Sequence, residues 1–291
     1  MSIQLIPYKP AGTIGNGPYV LREHKPDTGV DVSALSITYT GAYTDYGMVT
    51  MSDGARYRLL AFIASGTLSI EQPVNCEVCV VGGGANGSKA DDGAGGDGGA
   101  GAYLKNQSVS AYNGGSVVVG AAQGISSIGG VSVNAVSGKN GGTGAGGNTG
   151  GTGDGISKYP FEDTGYSLWA GKPHCAGGGQ GAYVQDLGGT LTNGYPGGNG
   201  GTNGGNGYRR GSDVLFNPPG GKGGSYGGGV GGAGNSSTTG NGGNATYYGS
   251  GAGGGGYKNR QGDVTLYNGG SGYQGIVYMR IPVIQQGGES I

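Results

Sequence analysis

Apolar and polar positions alternate in short runs near both ends of the chain. Residues 36–39, 56–63, 67–70 and 74–81 are rich in Ile, Val, Leu, Thr and Tyr. Ser52-Asp53-Gly54, Ser65-Gly66 and Gln72-Pro73 separate them. Short runs of this composition between turn residues predict antiparallel strands. Ser65-Gly66 is read as the tight turn of a hairpin. Further strand candidates are 101–109, 116–119, 131–136, 264–266 and 275–283, the last reading GIVYMRIPV. Strands therefore flank a long glycine-rich middle, which predicts one β-sandwich domain carrying a large insertion at about 82–275.

The glycines of the insertion are phased. Gly138, Gly141, Gly144, Gly147, Gly150 and Gly153 recur without a miss. Gly84, Gly87, Gly93, Gly96 and Gly99 keep the same spacing, with Ala90 as the exception. Gly198, Gly201, Gly204 and Gly207 repeat it, and Gly228, Gly231, Gly234, Gly240, Gly243 and Gly249 follow it with gaps. A period of three is that of a polyproline-II-type helix, which has no internal hydrogen bonds. Glycine at every third position lets neighbouring helices approach until their backbone groups pair, which gives those groups partners. A collagen triple helix would need far more proline than the 11 residues present. A flexible linker would need no phase. The expectation is a bundle of glycine-rich helices formed within one chain.

Composition narrows the function. Gly supplies 77 of 291 residues, against an average of about 7%. Each interior glycine costs a helix about 1 kcal/mol, so a mainly α-helical fold is excluded. A net charge of -1 leaves no cationic excess to displace counterions, so a partner recognised as nucleic acid is not expected. No run approaches the ~18 apolar residues of a membrane span. Twenty Tyr and near-zero net charge separate the chain from typical disordered sequences. Residues 1–36, with Pro7, Pro10, Pro18 and Pro26, read as an extended attachment arm without a core, 37–283 as the domain and 284–291 as a tail. The N-terminus shows no basic region followed by an apolar run, so no secretory signal is expected.

The chemical motifs are weak. Cys76 and Cys79 form CEVC inside a strand run, where residues three apart face opposite ways. They are read as buried apolar side chains. The stretch 80–87 matches G-x-G-x-x-G after a strand, but SKADDGAGGDGGAG follows it and cannot open the helix that a dinucleotide site requires. Asp91, Asp92, Asp97 and Asp154 are read as solvated turn carboxylates. No nucleophile elbow, HExxH or framed carboxylate pair is present. The sequence thus predicts no enzyme, no cofactor and no metal.

The remaining signal lies in the breaks between glycine tracts. Residues 156–175, ISKYPFEDTGYSLWAGKPHC, hold the only Trp, and 208–219 read YRRGSDVLFNPP. Tyr195, Tyr226, Tyr247, Tyr248 and Tyr257 sit in other breaks. Loops at which glycine helices turn around should gather at the bundle ends, and Tyr, Trp and Arg on a rigid platform suit recognition. The candidate binding residues are Tyr159, Phe161, Tyr166, Trp169, His174, Tyr208, Arg209, Arg210 and Phe216. Removing 156–175 is expected to abolish binding and leave the fold intact. The other reading is that these aromatics cap a bundle poor in side chains.

The stretches YTGAYTDYGMVTMSDGARYRLLAFIASGTLSI, VCVVGGGANG, GAGGDGGAGAYL, VVVG and GYQGIVYMRIPV resemble the glycine-rich domain of phage and prophage tail fibres and tail tips. The outline is also similar to the glycine-rich domain of the anaplastic lymphoma kinase receptor, whose ectodomain would be expected to bring a signal peptide and more Cys. Long-tail-fibre adhesins of T-even phages are similar in separating glycine-helix tracts by variable loops, but no match to their fibre-attachment region is seen at this N-terminus. The resemblance, over about 37–283, implies an all-β fold: an antiparallel jelly-roll-like sandwich with an inserted bundle of glycine-rich polyproline-II-type helices. It implies a virion protein of the tail, made in the host cytoplasm, that attaches to a host cell-surface glycan or protein. Residues 1–36 would dock on other tail or baseplate proteins, and the chain would form a homo-oligomer, a trimer in related fibres. A purely structural baseplate or fibre connector is the alternative.

Overall fold

The computed structural model describes residues 32–91, 95–133, 159–185, 190–192, 220–224, 226–232, 240–260 and 263–283. They are all-β, built mainly from antiparallel pairs, with no α-helix among the described residues. The strands are β1 (Ile37–Tyr39), β2 (Tyr43–Thr50), β3 (Arg56–Phe62), β4 (Gly66–Val81), β5 (Leu104–Val118), β6 (Ser126–Ile128), β7 (Val131–Val133), β8 (Tyr183–Gln185), β9 (Thr190–Thr192), β10 (Tyr257–Arg260), β11 (Asp263–Leu266) and β12 (Ile276–Pro282).

The large sheet has the order β2-β3-β12-β4-β5-β6-β7, with β1 also paired to β4. Its central strands are apolar on both faces. Leu60, Phe62, Val78, Val80, Val277 and Met279 point into one buried cluster. Tyr57, Leu59, Ala61, Cys79, Val81, Ile276 and Tyr278 point into a second, on the opposite face. Cys76 and Cys79 fall in different clusters, as strand alternation dictates, and all three cysteines are buried and form no disulfide. The second sheet has the order β11-β10-β8-β9, with β10 parallel to β8.

Three expectations need correction. Ser65-Gly66 does not close a hairpin, because β12 lies between β3 and β4. Tyr278 is in register with Ala61 on one side and Cys79 on the other. A strand apolar on both faces is stabilised most at a doubly covered centre, so the last strand outcompetes the local pairing. The runs at 67–70 and 74–81 are one strand. Register shifts near Val74 absorb Pro73, which has no N–H to give the ladder. The boundary at 36/37 also moves: Val32 and Leu35 pack into the first cluster, and Ser36 N–H donates to Glu71 Oε2 at 3.2 Å.

The described glycine segments carry no strand assignment, yet their backbone groups are paired. Residues 249–257 run through their middle. Gly251, Gly254 and Tyr257 N–H donate to Ala176, Gly179 and Ala182 O. Ala252 and Gly255 donate to Ala85 and Ser88 O, and Gly253 and Gly256 to Gly243 and Gly240 O. The carbonyls of Gly249, Ala252 and Gly255 accept from Ala102, Gly99 and Gly96. Those of Ser250, Gly253 and Gly256 accept from Tyr273, Gly270 and Tyr267, and those of Gly251 and Gly254 from Gly229 and Gly232. The segment thus has six neighbours and returns to each at every third residue. A Cβ on Gly251, Gly253, Gly254 or Gly255 would fall within 2.0 Å of a neighbouring carbonyl oxygen. That close approach, repeated around the axis, is why the positions are glycine. The tracts 138–153 and 198–207 lie outside the described residues.

Candidate recognition site

Residues 159–175 cross the second apolar face of the large sheet. Asp163 organises them. Its carboxylate accepts from Gly165 and Tyr166 N–H at 3.0 Å, and from the N–H and hydroxyl of Ser52. Burial works against the charged form, but these hydrogen bonds outweigh it and hold the carboxyl below its usual range. The turn that follows buries Trp169, whose Nε1–H donates to Asp163 O at 2.5 Å and whose ring meets Tyr278 and Tyr166 edge-on.

Two candidate binding residues are corrected by this geometry. Trp169 and His174 are both 0% exposed. The apolar side chains of β3, β4 and β12 demand a cover, and these rings supply it. Phe161 stacks on the Arg280 guanidinium at 4.4 Å, with Tyr57 on that same group at 4.3 Å, and Arg280 pairs with Glu77 at 2.8 Å. Tyr159 and Tyr166 are half-buried against the second cluster. The segment is part of the core, so its removal would not leave the fold intact. Tyr208, Arg209, Arg210, Phe216 and Tyr195 lie outside the described residues. Tyr257 is 1% exposed.

The structure assembles a different aromatic surface. Tyr226, Tyr247 and Tyr248 from the glycine breaks meet Tyr46 of β2, Tyr278 of β12, Leu168 and Lys172 around an open pocket of about 260 Å³. Tyr226 and Tyr247 contact edge-to-face at 4.9 Å, and the Lys172 ammonium stands 5.9 Å from the Tyr226 ring centre. Tyr46 reaches the pocket because β2 shifts register between Asp45 and Met48, where Gly47 adopts a φ of +66°. Tyr226 itself holds a φ of +61°, an uncommon conformation for a bulky residue. The two are 41% and 44% exposed and form the rim, while Tyr278 and Ile276 are buried at the floor.

Behind the floor lies His174, ringed by Tyr247, Tyr248 and Tyr278. Its Nε2 shares a 3.2 Å hydrogen bond with the Tyr278 hydroxyl, and its Nδ1 has no partner. Burial drives its pKa down to about 3, so it is neutral at physiological pH. Burial likewise raises Tyr247, Tyr248 and Tyr278, keeping the hydroxyls protonated. The described lining offers aromatic faces, protonated hydroxyls and one ammonium.

Sequence reading picked out Tyr226, Tyr247 and Tyr248 as break residues but missed Tyr46 and Lys172. Tyr46 lies in a polar strand with no periodic signal, and Lys172 sits beside the more conspicuous Trp169. Asp97 is also corrected: it is 4% exposed, not solvated, and Gln180 Nε2 donates to its Oδ1 at 3.3 Å. Among the described residues no group of three His, Cys, Asp or Glu is placed to hold a metal ion. No protein-family model and no curated protein matches this chain.

Proposed function

We propose that the chain is a phage tail fibre or receptor-binding protein that attaches a virion to a host cell-surface glycan or protein. The observation that carries this reading is the six-neighbour pairing of residues 249–257, which supports a rigid glycine scaffold holding an open aromatic pocket. The finer architecture belongs to the same proposal: a jelly-roll-like sandwich whose insertion is a bundle of polyproline-II-type glycine helices. Threefold return to each neighbour is what such helices require. Contacts would be made by rim residues that need little reordering, and several copies of the chain would multiply weak contacts. Residues 1–31, outside the described residues, would dock on other tail or baseplate proteins.

The alternative is a purely structural connector of the baseplate or fibre. The burial of Trp169 and His174 favours it, since two of the candidate contacts are spent on the core. Fluorescently labelled full-length chain, incubated with a panel of bacterial cells, separates the two. An adhesin binds some cells saturably, and unlabelled chain competes. Saturable binding to none of them would refute the adhesin and leave the connector.

A further inference from the structure

The pocket has a chemical bias that adhesion alone does not specify, and we infer that it binds a pyranose ring carrying a carboxylate, the chemistry of acidic surface sugars. This rests on the recognition reading above and names its ligand class.

Size comes first. About 260 Å³ lies just under the ~300–1,000 Å³ of sites for drug-sized molecules and leaves room for one sugar ring. Shape and polarity agree. Tyr46, Tyr226, Tyr247, Tyr248 and Tyr278 line the pocket. A tyrosine ring has a flat, electron-rich face that suits the C–H face of a pyranose, and its hydroxyl can donate to or accept from the sugar's own hydroxyls. These side chains have few torsions to freeze.

Charge selects among sugars. Among the described residues of the lining, Lys172 is the one charged side chain and none is a carboxylate. Among the described residues it has no ion-pair partner. The His174 imidazole behind the floor is neutral, so any selection for an anion rests on Lys172. An anionic ring therefore gains an ion pair that a neutral ring lacks. A quaternary ammonium, which would otherwise suit an aromatic cage, is repelled. The rim is also positioned ahead of binding. Tyr46 rides the β2 bulge and Tyr226 a left-handed backbone, both features that a fold retains where a side chain must be aimed.

Isothermal titration of the full chain with sodium glucuronate, methyl glucoside and choline tests this. Glucuronate should bind with a Kd of ~1–10 mM. Methyl glucoside should bind about fivefold more weakly, the reach of one half-exposed ion pair. Lys172→Gln should erase that difference while keeping the wild-type melting temperature, since Lys172 is half-exposed and supports no core contact. Tyr226→Ala should weaken both sugars about tenfold. Equal affinity for the two sugars in wild type, tighter binding of choline, or no heat with glucuronate at ~50 mM would each overturn the inference. If cells bind the chain but glucuronate does not, the ligand class fails and the adhesin reading stands. Glucuronate bound in solution with no cell bound supports the ligand class and refutes adhesion.

Discussion

Replacing Gly254 by alanine tests the scaffold directly. A Cβ at this position would lie 1.9 Å from Gly96 O, and ordinary contact begins near 3.4 Å. The two segments must therefore part by about 1.5 Å. Gly96 N–H donates to Gly255 O at 2.6 Å across that contact, and Gly181 N–H donates to Gly96 O at 2.8 Å. The opening breaks the first bond and displaces the acceptor of the second. Each buried backbone group left unpaired costs about 1–3 kcal/mol, and overpacking adds about 1–3 kcal/mol. The broken bond leaves two such groups, so the total is on the order of 3–9 kcal/mol, comparable with the ~5–15 kcal/mol that holds a typical domain.

Gly243→Ala is the matched control. Its Cβ would meet Val230 N at 3.1 Å and Val230 O at 3.2 Å, a misfit of tenths of an ångström. Neither glycine has a left-handed φ, so backbone strain does not separate them. The expected cost of Gly243→Ala is under ~1 kcal/mol. Urea unfolding of the full chain, followed by the fluorescence of buried Trp169, gives both values. Equal stabilities for the two variants, each within ~0.5 kcal/mol of wild type, would refute the argument that glycine is fixed by the approach of neighbouring carbonyls.

Acid should act on two buried groups with opposite sign. His174, held near 3, stays neutral in the fold while the unfolded chain takes up a proton below about 6.5, so its contribution to stability is lost as pH falls from about 6.5 towards 3. Asp97, raised to about 6 chiefly by burial against an opposing hydrogen bond from Gln180, keeps its proton in the fold after the unfolded chain has lost it, so stability falls as pH rises from about 3.8 through 6. Wild type should therefore be nearly level between about pH 4 and 6. Asp97→Asn should gain up to ~1.4 kcal/mol per pH unit across that window and exceed wild type at pH 7.5 by on the order of 1–3 kcal/mol. Urea midpoints across a pH series check this, and parallel profiles would refute it. Trp169→Ala, which lacks the only Trp, should cost about 3–5 kcal/mol in urea unfolding followed by far-ultraviolet circular dichroism, because the ring is fully buried and the cavity forms between two packed layers.

Much of the sheet was legible in the sequence because its signal is local. The runs at 56–63 and 275–283 became β3 and β12 within a residue or two. Cys76 and Cys79 separated onto two faces because strand alternation leaves no choice. The pairing of β12 between β3 and β4 was not legible, since it is settled by burial on both faces across more than 190 residues. Strand β2 was invisible: YTDYGMVT has mixed polarity and a bulge, and packs as an edge. The aromatic breaks were visible as breaks, but which of them face solvent was not. That outcome depends on where the sheet lacks a cover, and a loop sequence does not carry that information.

The burial of Trp169 and the exposure of Tyr226 follow from one constraint. Glycine segments pair their backbones but bring almost no side chains, so they cannot cover the second face of the sheet with apolar groups. That face, lined by Leu59, Ala61, Cys79, Val81 and Ile276, must be closed by the breaks, and the largest ring among the described breaks goes in deepest. Rings that the cover does not need lie at its edge. Tyr226 and Tyr247 meet there edge-to-face, and Tyr46 meets them from the sheet side. The pocket is thus the seam between the sheet and the glycine segments. Substitutions at its rim, Tyr46 and Tyr226, would alter the binding proposed for it at little cost to folding, since both are exposed. Substitutions one layer deeper, at Tyr278 or His174, disturb the core that holds the seam together. A recognition surface of this kind would diversify at the rim and stay fixed beneath it.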